Sequence, residues 1–503
     1  MLEGIKINEC TEHPIEDAYR PRYHFAIEEN GYPGDPNGAF FADGVYHLMF
    51  LYHNERTGGY HWGHLRSEDL LHWERRPDAL CVQDGDEGCY SGGGFLDEDK
   101  TAYISFWKFP GVDKEKDRGG IGIARASAPY DCWERISPLA VASSPVWGVA
   151  ERDGDAEPHY LACADPSNIW RMNGKYYMQA GNLLLLAEHG KGEASPLIYR
   201  GDYTDLFRSD DLRSWEYVGR FYENNQKGVE DWPTELEDDM CPSFLPLFDA
   251  EENGKPTGKH LQLFISHKRG CQYYIGTLEG ERFLPEMHGR MSWRDSAYFA
   301  PEALLDDKNR HIIWTWLRDN PKDDFERFGW SGVLALPRVV WYADGELKIA
   351  PARELDNLQC DHIPYRETDG NAPKVADGEL CRIRGVWKPG RKAGVAVRVS
   401  DDGSEYTEIY YSPEEKLLVM DTTHSGSDGW CVREEAPLML EEGEELSLDI
   451  FVDKSVIEVF ANRRQAICRR VYPTSPQHSK GVRLIGEKPV RLDTYRMSPT
   501  DTH

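Results

Sequence analysis

From about residue 20 to 350 the apolar positions come in short bursts, each closed by Gly, Asp or Asn. Examples are GVYHLMFLYH (44–53), TAYISFW (101–107), KYYMQAG (175–181), LQLFISH (261–267), CQYYIGTL (271–278) and RHIIWTWL (310–317). Each burst is rich in β-branched or aromatic residues and bounded by turn formers, which predicts a strand. A sustained helical period is hard to find in this stretch. The pattern predicts an all-β sandwich, barrel or propeller.

Internal similarity narrows the choice. DPNGAFFADGVYHLMF (35–50) resembles DPSNIWRMNGKYYMQA (165–180), and SEDLLHW (67–73) resembles SDDLRSW (209–215). Repetition with varying insertions suggests radially repeated units, hence propeller blades. Roughly 330 residues at about 60–70 per four-stranded blade make five. After LALPRVVWYADGELKIAPARELDNL (334–358) the texture changes to alternating strands such as AGVAVRVS (393–400), EYTEIYYS (405–412), LSLDIFVD (446–453) and SVIEVFAN (455–462). These read as a β-sandwich. The expected organisation is a five-bladed propeller over residues 1–355, a linker over 356–375 around HIPYRETDGNAPK, and a sandwich over 376–503.

Charge and composition then exclude partners. Lys and Arg number 58 against 87 Asp and Glu, a net charge of −29 with no basic stripe. Such a surface repels nucleic acid and anionic membranes, while a neutral ligand such as a sugar is compatible with it. No apolar run approaches the roughly 18–20 residues of a spanning helix. The first residues lack a basic-then-apolar pattern, so the expectation is a cytoplasmic protein, with a mature secreted form as the alternative. The 11 cysteines are odd in number and scattered without a C-x-x-C pair. Neither a zinc site nor a dense disulfide framework is indicated.

The candidate chemistry starts at NGYPGDPNGAFF (30–41), where Asp35 sits in a tight turn immediately before an apolar strand. By itself Asp-Pro-Asn-Gly is ordinary turn chemistry. Its surroundings add to it: YHF (23–25) upstream, then YHLMFLYH (46–53), HWGHLRSEDLLHW (61–73) and YSGG (90–93), with APEALLDD (300–307), GWSG (329–332), LPRVV (336–340) and IFVDKSVIEVFAN (450–462) further on. In order, these segments resemble glycoside hydrolase family 32, the invertases, inulinases and levanases, over nearly the whole chain.

The resemblance implies a retaining glycosidase, in which one carboxylate attacks the anomeric carbon and a second, protonated carboxyl releases the leaving group from about 5–5.5 Å away. It implies that Asp35 is the nucleophile and that Asp165, in CADPSNIW (163–170), binds fructose hydroxyls and steadies the transition state. The arginine that precedes this aspartate in the family pattern is Ala164 here. Where the family carries Glu-Cys-Pro, this chain reads TELEDDMCPSFLPLF (234–248), with Met240 in place of the glutamate. The acid is expected among Glu235, Glu237, Asp238 and Asp239, with Glu237 favoured and Asp238 next. Asn37, Trp62, Ser91 and Asp238 are expected to bind substrate, Trp62 as an aromatic platform for the sugar. Leu51 stands where the family commonly has a substrate-binding glutamine, and WRDS (293–296) where it has Asp-Tyr-Gly. These departures predict an unusual substrate or linkage preference.

His61, His64 and His72 are spaced as metal ligands could be, yet His64 belongs to the Trp-Gly-His segment and needs no ion. No glycine-rich phosphate loop or G-x-S-x-G elbow appears. No metal and no cofactor are expected. The expected activity is release of β-D-fructofuranosyl units from sucrose, fructo-oligosaccharides or fructans. Alternatives are a fructosyltransferase or difructose-anhydride-forming enzyme on the same scaffold, and a non-catalytic fructan-binding protein. The sequence leaves open whether the chain forms a homo-oligomer.

Overall fold

A computed structural model describes residues 17–83, 86–110, 119–142, 149–152, 159–181, 202–224, 238–267, 269–318, 325–365 and 378–500. Four-stranded antiparallel sheets succeed one another along the first part of the chain, each adding strands outward from the innermost. Blade I is built from Pro36–Ala42, Val45–His53, Tyr60–Ser67 and Glu74–Leu80. Blade II places Asp86–Tyr90 and Gly94–Leu96 innermost, followed by Ala102–Pro110 and Gly120–Ala126, with a fourth strand in two short pieces. Blade III has its innermost strand broken into Ala164–Pro166 and Trp170–Met172, then Lys175–Gly181, Asp202–Ser209 and Trp215–Asn224. Blade IV comprises Met240–Phe248, Pro256–Ser266, Gly270–Glu279 and Arg282–Arg290. Blade V comprises Tyr298–Leu305, His311–Leu317, Arg338–Ala343 and Glu346–Pro351. The five-bladed propeller expected from the repeats is therefore present.

Apolar faces of neighbouring blades meet in separate small cores, and aromatic rings fill much of that space. Trp170, Phe221, Phe244 and Phe283 pack between blades III and IV. Early and late parts of the chain meet to close the ring. Ile27 N–H donates to Gly332 O (3.0 Å) and Leu334 N–H to Phe25 O (2.9 Å), while Leu334 also bridges to Trp316 of blade V.

Two further sheets stack as the sandwich. One is six-stranded, in the order Gln359–Pro364, Arg491–Met497, Leu380–Trp387, Leu446–Asp453, Val456–Ala461, Gln465–Arg470. The other is five-stranded, in the order Arg433–Pro437, Leu417–His424, Tyr406–Ser412, Ala393–Val399, Gly481–Gly486. Between them lies a core including Ile383, Trp387, Val395, Ile409, Ile450 and Val459. Part of the expected linker is corrected here. Gln359–Pro364 forms an edge strand paired with Arg491–Met497, because the last propeller strand leads through a 3₁₀ turn at Arg353–Leu358 straight onto the sandwich. Residues 366–377 of that linker lie outside the described residues.

The two units share one apolar core, in which Phe451, Val456, Phe460 and Met497 pack with Phe299, Val333, Leu336 and Leu355. A buried polar cluster crosses the same boundary. His24 Nδ1 lies 2.8 Å from Asp453 Oδ2 and its Nε2 lies 3.2 Å from Glu458 Oε1. Arg338 Nη2 donates to Glu458 Oε2 (3.0 Å), and the backbone N–H groups of Arg22, Tyr23 and His24 all donate to Asp453. The ten described cysteines are all free thiols. No described helix is long and apolar enough to cross a membrane.

Candidate active site

Because the innermost strands all run the same way along the axis, their beginnings gather at one end of the propeller. Asp35 directly precedes the first strand of blade I and Asp238 and Asp239 that of blade IV, Ser91 lies in the break between the two pieces of the innermost strand of blade II, and Asp165 lies within the first strand of blade III. Antiparallel pairing brings the ends of the second strands to the same place, which puts His267 and Arg318 there too. Distant carboxylates thus converge without any local sequence proximity.

Asp35 is buried, and Ser91 Oγ donates to its Oδ2 (2.6 Å) while Oδ1 accepts no hydrogen bond among the described residues. Burial raises the Asp35 pKa; the Ser91 hydrogen bond and the charges of Arg318 and His267 pull it back only in part. Asp165 is also buried and stands close enough to Asp35 for their charges to repel. Burial, with Asp35 second, pushes its pKa up to about 7, against the hydrogen bond that Cys241 Sγ donates to its Oδ2 (3.2 Å). The Cys241 thiol is itself pushed well up by burial and by the two aspartates, so it stays a donor. Both Asp165 (φ 40°) and Cys241 (φ 47°) hold left-handed backbone beside β-bulges that aim their side chains at the axis.

Asp238 is buried and pairs with His267 Nδ1, and the His267 N–H also reaches its Oδ1 (3.4 Å). Burial opposes charge on this imidazole, but the bond to Asp238 and the charges of Asp238 and Asp165 outweigh it and raise the His267 pKa. Asp239 belongs elsewhere: it is buried near Tyr222, whose hydroxyl pKa rises first by burial and then by the Asp239 charge. Glu235 and Glu237 lie outside the described residues.

Two expected substrate contacts are corrected. Trp62 has no exposed surface; it packs in the core between blades I and II with Leu51, Leu80, Ile104 and Phe106, because its place on the third strand points it into the blade interface. Asn37 is buried with its amide engaged: Nδ2 donates to Asp35 O (3.0 Å) and Oδ1 accepts from Gly92 N–H (3.1 Å). It braces the turn that presents Asp35. Ser91, by contrast, touches the site directly.

The sequence reading missed His267 and Arg318. The signal for them was positional: each follows the second strand of its blade, at the end where the acidic turns of blades I, III and IV also lie. It also missed Glu302, which is buried and accepts from Ala39 N–H (2.6 Å), tying blade V to blade I beneath the site. His61, Asp78 and Cys81 lie within ligand range of one another. They sit in blade I, where Tyr52 (2.6 Å) and Arg75 already satisfy Asp78.

Comparisons with known proteins bear on the whole chain. The model of the glycosyl hydrolases family 32 N-terminal domain matches residues 24–351, and that of the family 32 C-terminal domain matches 375–496. A sucrose-6-phosphate hydrolase of Zymomonas mobilis subsp. mobilis is 26% identical over 91% of this chain and 88% of its own length. An extracellular exo-inulinase of Aspergillus awamori is 24% identical over 99% of this chain and 98% of its own. The crystal structure of fructan 1-exohydrolase IIa from Cichorium intybus superposes with a TM-score of 0.77 at 20% identity, covering 97% of this chain and 98% of that one. With both domain models matched in order over a propeller and a sandwich, the chain belongs to glycosyl hydrolase family 32.

Proposed function

We propose that this glycosidase releases β-D-fructofuranosyl units from sucrose, fructo-oligosaccharides or fructans with retention of configuration. The observation that carries the reading is the convergence of Asp35 and Asp165 at one end of the axis, with one Asp35 oxygen fixed by Ser91 and the other left without a partner among the described residues. A nucleophile needs that arrangement: one oxygen oriented, one free to attack. In this reading Asp35 forms the fructosyl-enzyme bond and water later breaks it. Asp165, holding its proton up to about pH 7, donates to a fructose hydroxyl and limits the negative charge around the nucleophile. Glu237 protonates the leaving oxygen, and its neighbour Asp238 is held by His267. A pure fructan-binding protein would gain nothing from burying two repelling carboxylates side by side.

The test is fructose release from sucrose, 1-kestose, inulin and levan by wild type, Asp35→Ala and Glu237→Gln. Wild type is expected to release fructose, and Asp35→Ala to lose roughly 10³-fold or more of it. Activity that survives Glu237→Gln but not Asp35→Ala moves the acid role to Asp238 or another carboxyl. Binding of fructans without turnover by wild type would overturn the hydrolase reading.

A further inference from the structure

Position 164 is a buried alanine, so the guanidinium of the family pattern is missing at that position. One arrives from blade V. Arg318 Nη1 donates to Ser296 Oγ (2.9 Å), and its guanidinium carbon lies 4.6 Å from the Phe299 ring centre, 5.2 Å from Trp316 and 6.0 Å from Trp430. Its Nε has no hydrogen-bond partner among the described residues. Trp430 belongs to the sandwich and is half-buried.

The connection that seats Arg318 also bolts the sandwich in place. Trp293 N–H donates to Glu434 Oε1 (2.9 Å), and Arg469 Nη1 donates to both Asp295 oxygens (2.9 Å each). Arg469 Nε closes the set on Glu434 Oε2 (2.6 Å), with Glu434 and Arg469 both buried. Residues 293–296 therefore hold the sandwich with Trp293 and Asp295 and the guanidinium with Ser296. The result is a wall on the blade V side of Asp35 made of a cation and aromatic faces from two domains.

We propose that Arg318 and Trp430 form the subsite for the leaving-group sugar, so that the sandwich takes part in substrate selection. The proposal rests on the hydrolase reading. A fructosyl ring over Asp35 leaves its aglycone pointing outward, and an aromatic face with guanidinium donors suits the C–H face and hydroxyls of a neutral sugar ring. A single guanidinium within reach of the Asp35 charge is not a phosphate site.

The experiment compares kcat/KM for 1-kestose and for methyl β-D-fructofuranoside, whose leaving group is too small to reach Trp430. It uses wild type, Trp430→Ala, Trp430→Phe, Arg318→Gln and Arg318→Lys, each checked by thermal melting. Trp430→Ala and Arg318→Gln are expected to lose roughly tenfold more on 1-kestose than on the methyl fructoside, with Trp430→Phe and Arg318→Lys partly restoring the ratio. Equal losses on both substrates, or none on either, overturn the subsite while leaving the hydrolase reading intact. Wild type inert on both would sink the hydrolase reading, and the subsite with it.

Discussion

Asp165 shows most clearly that the site is built at the expense of stability. Its carboxyl is raised to about 7 in the folded chain, against roughly 3.9 when unfolded. Below about pH 4 both states hold the proton and nothing is lost. Between about pH 4 and 7 the folded state retains a proton that the unfolded state releases, and above that the whole cost, on the order of a few kcal/mol, is present. Asp165→Asn is therefore expected to melt higher than wild type at pH 8 and to show no gain at pH 4, while losing most fructose release; a gain equal at both pH values would refute this origin. Trp62 makes the opposite case. Trp62→Ala should cost about 3–5 kcal/mol by leaving a cavity between blades I and II. KM for 1-kestose, measured where the variant is still folded, should not move. At this scale Asp35, Asp165, Ser91 and Asp238 were legible because turn motifs carried them to the axis. Trp62 was misread because sequence does not say which face of the third strand meets the next blade. His267 and Arg318 sit in no motif at all.

The repeats seen in the sequence are the same piece of architecture. In SEDLLHW the carboxylate of Asp69 accepts the N–H groups of Leu71 and His72, and Leu70 holds φ 66°. In SDDLRSW Asp211 accepts from Arg213 and Ser214, and Leu212 holds φ 62°. Each forms the turn between the third and fourth strands of its blade, in blades I and III. Asp211→Ala should cost roughly 1–2 kcal/mol, read by denaturant unfolding. The Asp-Pro repeats match less well. In blade I the left-handed residue is Gly38, three positions after Asp35, whereas in blade III it is Asp165 itself. Bulge placement depends on what the strand packs against, and that is invisible locally. The glycines of YSGGG show how tight the packing is. A Cβ on Gly93 would sit 2.2 Å from Asn168 N, so Gly93→Ala should push blade III away from Ser91 and lower both melting temperature and turnover.

Across the whole molecule, the motifs most distant in sequence turn out to be one contact. YHF (23–25) and LPRVV (336–340) meet IFVDKSVIEVFAN (450–462) in the cluster of His24, Arg338, Asp453 and Glu458. Burial opposes charge on His24, but its bonds to the two carboxylates raise its pKa, so its contribution is full below about pH 6.5 and fades as pH rises through the folded value. Burial works against the Glu458 charge too, yet His24 and Arg338 hold its pKa down, so that contribution is present above about pH 4.3 and is lost on acidification through the folded value. Glu458→Gln should destabilise by about 3–5 kcal/mol and split the calorimetric transition in two as the sandwich uncouples; a single unchanged transition would argue against the coupling. The order of domains was readable from a change in strand texture, but the edge strand at Gln359–Pro364 was not, since its partner lies near the other end of the sandwich. The ring closure between Phe25–Ile27 and Gly332–Leu334 sets a clock for biosynthesis. At about 5–20 residues per second, roughly 15–60 s pass between the emergence of one side of that seam and the other. Until then the nascent chain is an open arc of blades with apolar flanks and no partner for its first segment, and chaperones have that long to hold it.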